Sequence, residues 1–345
     1  MIELIDDRLI FTFPEVHPDA KLTIEFQRTL RIPDDGKNYP LPPGMGKFPL
    51  MHVDDFAENV PRKWLEHGGV MLPMYQSEAL WVNFQSAYIV NQGEYPFAVK
   101  IAAGKINAVT GKPWKDELKK RPQDYMVSSE QPWLDGYCVK KGIIRQFVAM
   151  PLGSGYSAEE QISGEAEHGG IQIIVYPMKR SAFEKYFPVK ASQVHEGHVY
   201  YSLNSSSVSY SADNSEMGLA PGGQMNQEIY KDPFKLDDWE TDVYSRCFTH
   251  IANSLIWQSI TNSTPPTVQF TAKQYTENGL PWFEFYSEGS QPLDGSEVLN
   301  GLKSISEMAK EKKDTPLPEN ESIEPSKIKK IYKKLTPDQV REGTF

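Results

Sequence analysis

The stretch LTIEFQRTL, residues 22–30, alternates apolar and polar side chains along its length. Leu22, Ile24 and Phe26 occupy one set of alternate positions, and Arg28 is the single interruption of that apolar set. Successive side chains of a β-strand point to opposite sides of a sheet, so this spacing predicts a strand with one buried face. The charged side chain at position 28 indicates that one end of this face is hydrated.

Further strands are predicted on the C-terminal side of this segment by short apolar runs. Residues 32–50, rich in proline and glycine, lie between the strand 22–30 and the next predicted strand, and they predict an ordered loop. The other predicted strands are 80–84, 97–101, 106–109, 143–152 and 171–176, with short helices near 115–120 and 182–186. Strands that come first and helices that follow are typical of α+β proteins. We therefore expect an α+β fold whose mainly antiparallel sheet body spans residues 1–203.

The amino-acid composition of the chain changes after residue 203. Residues 204–235 are rich in Ser, Asn and Gly and predict a long surface loop. Residues 236–313 then show helical spacing of apolar side chains, which predicts a helical layer packed on the body as part of the same globular unit. The helices expected in this layer are residues 237–260, a short helix capped by Thr271, and residues 296–312.

The last part of the chain is built from two segments of opposite charge. Residues 314–326, DTPLPENESIEPS, contain four acids, three prolines and no base. So few apolar side chains cannot offset the entropy of ordering the backbone, and a disordered acidic linker is expected. Residues 327–345 form a basic tail with six bases and two acids.

The beginning of this tail, KIKKIYKKL at residues 327–335, has the spacing of a short amphipathic helix. Its apolar face consists of Ile328, Ile331, Tyr332 and Leu335. Isolated helices below about 12–15 residues are marginal in water, so this helix needs a surface on which to dock. Weak contact with an anionic membrane surface, or plain disorder of the tail, are the alternatives.

Overall composition excludes several classes of protein. The net charge is −10, which argues against general nucleic-acid binding because phosphate contacts need a basic field. Acids near the N-terminus do not fit a signal peptide, and no window reaches the ~18 apolar residues of a membrane span, so a cytoplasmic location without a transmembrane segment is expected. Cys138 and Cys247 have no metal-binding spacing and are expected to be reduced, with a single disulfide as the alternative.

A cluster of ionisable side chains follows the predicted strand 143–152. Glu165 and Glu167 would point the same way in an extended segment, and His168 is the next residue. With Glu160 nearby, these groups could ligate a divalent metal or act as acid and base. The alternative is a hydrated hairpin rim whose charges prevent edge pairing.

Two other patterns were weighed as sites. His195 and His198 would offer two further metal-binding nitrogens, but the HExxH helix spacing is absent. Residues 153–158 fit a dinucleotide fingerprint, yet acids in the following helical turn would repel a pyrophosphate. Ser157 and Glu160 are better explained as a capping box.

These patterns favour an interaction or assembly protein over an enzyme. The motifs of serine hydrolases, phosphate-binding loops and zinc proteases are absent from the sequence, and no cofactor is predicted. The expected function is docking on a protein partner or sister subunit through the tail, using Ile328, Ile331, Tyr332 and Leu335. The alternative is a metal-dependent or acid/base hydrolase-like enzyme with a site around Glu165, Glu167 and His168, to which His195 and His198 could contribute.

Overall fold

The computed structural model describes residues 1–189, 216–268, 270–287, 289–315 and 317–332. Within these residues the protein has a sheet-rich α+β fold with two large mixed sheets and short helices. Across the same residues, no helix combines the length and apolar composition needed to span a bilayer.

The strands and helices are as follows in chain order. The strands are β1 (Ile2–Ile5), β2 (Arg8–Thr12), β3 (Lys21–Thr29), β4 (Asn38–Tyr39), β5 (Gly44–Lys47), β6 (Met51–His52), β7 (Val70–Met74), β8 (Ala79–Ser86), β9 (Tyr88–Ile89), β10 (Gly93–Glu94), β11 (Phe97–Ala103), β12 (Ile106–Asn107), β13 (Met126–Val127), β14 (Trp133–Leu134), β15 (Gly136–Lys140), β16 (Ile143–Pro151), β17 (Ile171–Pro177), β18 (Met217–Asn226), β19 (Ser245–Asn253), β20 (Trp282–Tyr286) and β21 (Ile328–Tyr332). The helices are α1 (Arg62–His67), α2 (Ala158–Ser163), α3 (Arg180–Tyr186), α4 (Ser254–Thr261), α5 (Ala272–Glu277), α6 (Glu297–Asn300) and α7 (Ile305–Lys312).

Two large sheets organise the fold. The first has the order β1-β2-β3-β8-β16-β18-β4, with β5, β14 and β15 attached to it. The second has the order β12-β11-β17-β19-β7-β6, with β13 attached to β11. Most pairings are antiparallel, but β18 with β4, β19 with β7 and β20 with β21 are parallel. The sheets are therefore mixed, and the expectation of an antiparallel body is met only in part.

The two large sheets share one hydrophobic core. Ile24 and Phe26 of β3 are fully buried in the same cluster as Val99 of β11 and Ile173 of β17. The segment 22–30 thus forms the predicted strand, but the expected hydration at position 28 is wrong, because Arg28 is 6% exposed and pairs with the buried Glu78. Cys138 and Cys247 are two separate buried thiols, so the described structure contains no bond between them.

The predicted helix over residues 237–260 is wrong. This region forms β19 followed by the two-turn helix α4. β19 lies between β17 and β7, and Phe248, Thr249 and His250 are all buried, so both faces of this part of the strand are covered. A strand buried on both faces lacks the apolar/polar alternation of a half-buried strand, and periodicity alone does not distinguish it from a buried helix.

Part of the predicted loop 204–235 is also a strand. Residues 217–226 form β18, whereas residues 190–215 lie outside the described part of the chain. The glycines of β18 allow close packing: a Cβ on Gly223 would lie 2.4 Å from the backbone oxygen of Pro33. Glycine in a strand interior can mark such a close backbone approach. The same glycines make the composition of residues 204–235 typical of a loop.

Smaller departures affect the predicted loop and helical layer. The loop 32–50 contains the short strands β4 and β5, and residues 115–120 form no helix. The segment 296–312 forms two helices, α6 and α7, rather than one. Because β19 and β20 also fall within residues 236–313, the predicted helical layer is matched only in part.

The acidic segment 314–326 packs on the body where the structure describes it. Ile323 is 7% exposed and belongs to the main core. Asn320 accepts a 2.9 Å hydrogen bond from the buried Arg31 guanidinium, and Asp314 accepts one from the Tyr156 hydroxyl. These anchors oppose the expected disorder, because one buried apolar side chain and several hydrogen bonds compensate for the loss of backbone entropy.

Candidate functional site

The capping box predicted at residues 157–160 is confirmed and opens α2. The Ser157 hydroxyl accepts from the Glu160 backbone N–H at 3.2 Å, and the Glu160 carboxylate accepts from the Ser157 N–H at 3.1 Å. The same carboxylate also accepts from the backbone N–H of Gly155 at 2.6 Å. Glu160 therefore has a structural role at the start of the helix.

The neighbouring Glu159 organises the loop that leads into β17. It is 3% exposed, and its carboxylate accepts backbone N–H groups from Glu167 at 3.0 Å, His168 at 2.7 Å and Gly169 at 2.8 Å. Gly104 gives this carboxylate its space, since a Cβ at that position would lie 2.3 Å from Glu159 Oε2. The capping-box spacing indicates a role for Glu160, but no local pattern marks Glu159, and only the packing reveals its role.

The other predicted side chains of this loop are largely solvated. Glu165 is exposed, and the Glu167 side chain is 60% exposed with Oε2 3.5 Å from His168 Nε2. Within the described residues, no group of three or more His, Cys, Asp or Glu side chains could hold a metal ion. His195 and His198 lie outside the described residues, so their proposed contribution stays a prediction.

His168 belongs to a cluster of rings from three elements. Trp64 of α1 stacks on His250 of β19 at 4.7 Å, and His250 stacks on Phe248 at 4.3 Å between ring centroids. Phe248 stacks in turn on His67 at 4.7 Å, and His67 meets His168 edge-on at 6.3 Å. The stack thus leads from buried rings to two surface imidazoles.

The parallel pairing of β19 with β7 holds this cluster together. Gly69, immediately before β7, has a φ of +87°, and a Cβ there would lie 2.1 Å from the Phe248 backbone oxygen. Only glycine fits this approach, which brings the C-terminal end of α1 against the ring-bearing part of β19. A Gly68-Gly69 pair is typical of a turn after a helix and does not by itself indicate a site.

Burial lowers the pKa of the three imidazoles of this cluster. Desolvation lowers the pKa of His250 to about 3, although its hydrogen bond to the Gly68 carbonyl opposes the shift. Burial, and then the positive charge of Lys105, lower the pKa of His67 and of His168 below the usual value. Imidazoles can donate and accept protons, which is the chemistry that this arrangement offers.

We expect the His250 imidazole to remain neutral from pH 8 down to about pH 4, since burial disfavours its cationic form. The ring Nε2 lies 3.1 Å from the Gly68 carbonyl oxygen, which can only accept, so the Nε2-protonated tautomer is expected. Nitrogen-15 NMR of the imidazole rings, with His250 assigned through a His250→Gln variant, measures both properties. A His250 signal that titrates near pH 6.5 would contradict this prediction.

A separate open cleft lies elsewhere on the surface. It has a volume of about 520 Å³, and its walls include Tyr176, Tyr244 and Trp239 together with Asp116 and Asp237. None of the side chains singled out by the sequence lines it. It combines aromatic and acidic groups, but the Asp116 carboxylate already pairs with Arg246 at 2.8 Å.

The C-terminal segment forms a strand where the sequence predicts a helix. Residues 328–332 form β21, which pairs with β20 in parallel, and the Trp282 N–H donates to the Lys327 carbonyl at 2.8 Å. The helix prediction is therefore wrong for these residues, and Leu335 lies outside the described part of the chain. Ile328 and Ile331 are 47% and 38% exposed, so two of the four predicted docking residues present apolar side chains to solvent. Tyr332 is the last residue of β21 and pairs with Tyr286 through the backbone.

Comparison of the chain with protein-family models, with curated proteins and with solved structures gave no match. Function is therefore inferred from the residues and contacts of the protein itself.

Proposed function

We propose that this protein is a non-enzymatic interaction or assembly protein whose C-terminal segment, from residue 327 onward, docks on a protein partner or a sister subunit. The observation that carries the proposal is the exposure of β21. Its residues 328–331 are all exposed, although they form an ordered strand against β20. Such a strand is held mainly by backbone hydrogen bonds and leaves its apolar side chains available for a second surface.

The energetics of β21 support an additional contact. Two strands without a third are marginally stable in water, and burying an isoleucine side chain fully contributes roughly 1.5–3 kcal/mol. Ile328 and Ile331 have 47% and 38% of their surface still exposed, so a covering partner would gain a substantial part of that energy. A docked partner would therefore stabilise both the interface and the strand.

Charge supports the same function. Residues 327–345 carry six bases and two acids, whereas the whole chain has a net charge of −10. Opposite charges on two surfaces accelerate their association and favour one orientation over others. The basic tail is thus suited to an acidic protein surface, which includes that of a sister subunit.

The proposal is tested with a double substitution in the full chain, Ile328→Asp with Ile331→Asp. Charges at these positions would be buried against the partner, and we expect the association constant to fall at least about tenfold, equivalent to about 1.4 kcal/mol. The measurement is sedimentation velocity over a range of concentrations, together with the affinity for any partner that cross-links to the wild-type tail.

The matched control introduces aspartate at two apolar positions outside the tail, Ile5→Asp with Val90→Asp. Ile5 and Val90 are 48% and 73% exposed, so the added charge is similar but the position differs. Unchanged mass and unchanged partner affinity in the tail variant would contradict the proposal. An equal loss in the control variant would contradict it as well.

The enzyme alternative keeps one specific observation in its favour. The His168 imidazole lies beside the ring of His67, and its Nδ1 is buried without a hydrogen-bond partner among the described residues. Elemental analysis of the purified protein discriminates the two functions. Stoichiometric divalent metal that is lost in a Glu167→Ala and His168→Ala variant would favour a metal-dependent hydrolase-like enzyme.

A further inference from the structure

We infer that the outer edge of β21 pairs with an extended acidic segment of a partner protein, which adds a third strand to the β20-β21 sheet. This inference rests on the proposed function and names the chemistry of the partner. It follows from three properties of the described strand: the direction of its backbone groups, the closure of the opposite edge, and the arrangement of its lysines.

Successive residues of β21 direct their backbone N–H and C=O groups to opposite edges of the strand. The Trp282 N–H donates to the Lys327 carbonyl at 2.8 Å, while Trp282 stands opposite Ile328 in the parallel register. In a parallel ladder a residue bonds to the two residues that flank its opposite number, so Lys327, Lys329 and Ile331 direct their backbone groups toward β20. The N–H and C=O groups of Ile328 and Lys330 therefore point to the outer edge.

The other side of this small sheet is already closed. Leu41 and Phe283 exchange two backbone hydrogen bonds, of 2.8 and 2.9 Å, on the edge of β20 that faces away from β21. In the part of the chain that the structure describes, no strand pairs with the outer edge of β21. An unpaired edge is a ready template for a further strand, and this one is the edge at which the sheet can grow.

The side chains of β21 specify the charge of such a strand. Lys327, Lys329 and Lys330 are exposed, and residues 327–332 contain no acid. Because alternate side chains point to opposite faces, Ile328 and Lys330 share one face, and Lys329 and Ile331 share the other. Each face thus combines an apolar with a cationic side chain. The complementary strand places acidic side chains opposite Lys329 and Lys330 and apolar side chains opposite Ile328 and Ile331, which gives the order apolar, acidic, acidic, apolar.

The same lysines disfavour a second copy of β21 as the occupant. Antiparallel pairing of two copies about the strand centre would place Lys330 directly opposite Lys330. Like charges directly opposite one another destabilise a strand pair, whereas an opposite charge stabilises it. Lysine on an edge strand generally prevents pairing with identical chains, and here it selects an acidic partner.

The experiment compares two substitutions at one position in the full chain. Lys330→Pro removes an outward N–H but none of the hydrogen bonds to β20, and proline is tolerated on an edge of this kind. Lys330→Ala removes the same charge and keeps the N–H. A third variant, Lys329→Glu with Lys330→Glu, reverses the charge and keeps every backbone donor.

The probe is a fluorescein-labelled ten-residue peptide of valine and glutamate in the repeating order Val-Glu-Glu-Val, whose binding is followed by fluorescence anisotropy. We expect binding to the wild type that weakens with added salt, since exposed charges are screened. Lys330→Pro and the charge reversal should each weaken binding at least tenfold, and Lys330→Ala should weaken it less than threefold. A peptide with lysine in place of each glutamate should not bind.

The outcomes separate this inference from the proposed function. If the Ile328→Asp and Ile331→Asp variant loses its partner while Lys330→Pro binds the acidic peptide like Lys330→Ala, edge pairing is wrong and the docking function stands. If the basic peptide binds as well as the acidic one, the assignment of an acidic partner is overturned. If the wild type dimerises and Lys330→Pro abolishes the dimer, the occupant is a second copy and the inference is likewise overturned.

Discussion

Replacing Asp135 with asparagine is expected to raise the free energy of unfolding at pH 8 by about 2–4 kcal/mol relative to the wild type, because each unit of pKa shift corresponds to about 1.4 kcal/mol. Asp135 is 2% exposed, and burial raises the pKa of its carboxyl to about 7. Its side chain accepts a 2.7 Å hydrogen bond from the Gln227 amide, which does not compensate for burial of a charge.

The direction of the pH dependence follows from this raised pKa. Below about pH 4 the Asp135 carboxyl is protonated in the folded and the unfolded chain, and the substitution should have no effect through charge. Between about pH 4 and 7 the unfolded chain ionises first, so the wild type loses stability progressively as the pH rises. Above pH 7 both states are ionised, and the difference between wild type and variant is constant.

Urea denaturation at pH 4.5, 6 and 8 measures this difference. The control is Asp294→Asn, which removes an exposed carboxylate and should produce no comparable pH-dependent change. A stability difference between wild type and the Asp135→Asn variant that is the same at all three pH values would show that burial of the charge is not the cause.

Replacing Glu159 with alanine is expected to lower the free energy of unfolding by about 3–5 kcal/mol, because each buried donor left without an acceptor costs about 1–3 kcal/mol. The substitution would leave the backbone N–H groups of Glu167, His168 and Gly169 without their acceptor. It would also open a space beside Gly104. The segment that carries His168 should therefore become mobile.

Hydrogen exchange at residues 167–169, measured with urea denaturation, tests the role of Glu159. Glu159→Gln keeps the size and one acceptor oxygen, so it should cost less than alanine and preserve part of the protection. The matched control is Glu160→Gln, which alters the helix cap and should leave exchange at residues 167–169 unchanged. Wild-type protection of these amides in the alanine variant would contradict the assigned role.

Local sequence patterns correctly predicted a strand with one buried face and helices that begin with a capping box. The segment 22–30 has one buried and one polar face, and it became β3. The capping boxes at Ser157 and Thr271 rely on contacts three residues apart, and both open helices. β19 is different: Phe248, Thr249 and His250 are all buried, so both of its faces are covered and its polarity carries no record of its geometry. The strands that pair with its two edges come from the distant residues 70–74 and 171–177.

The candidate site also combines a residue that the local sequence indicates with residues that only the fold brings together. His168 was singled out because Glu165 and Glu167 precede it in the chain. Its ring neighbour His67, and His250, which contacts His67 in turn, are distant in sequence and approach only through the pairing of β7 with β19. No spacing rule connects residues brought together by a sheet in this way.

The C-terminal segment KIKKIY shows what the sequence alone can predict and what depends on the tertiary structure. Its amino acids alone determine that it is basic and that it is too short for a stable isolated helix, so regular structure in it depends on another surface. Whether it is a helix or a strand depends on the surface that it meets, because a helix satisfies its hydrogen bonds internally and a strand needs those of a neighbour. In this protein the neighbour is β20, which pairs with residues 328–332 as the strand β21. Ile328 and Ile331 would share one face of a helix, but they lie on opposite faces of this edge strand.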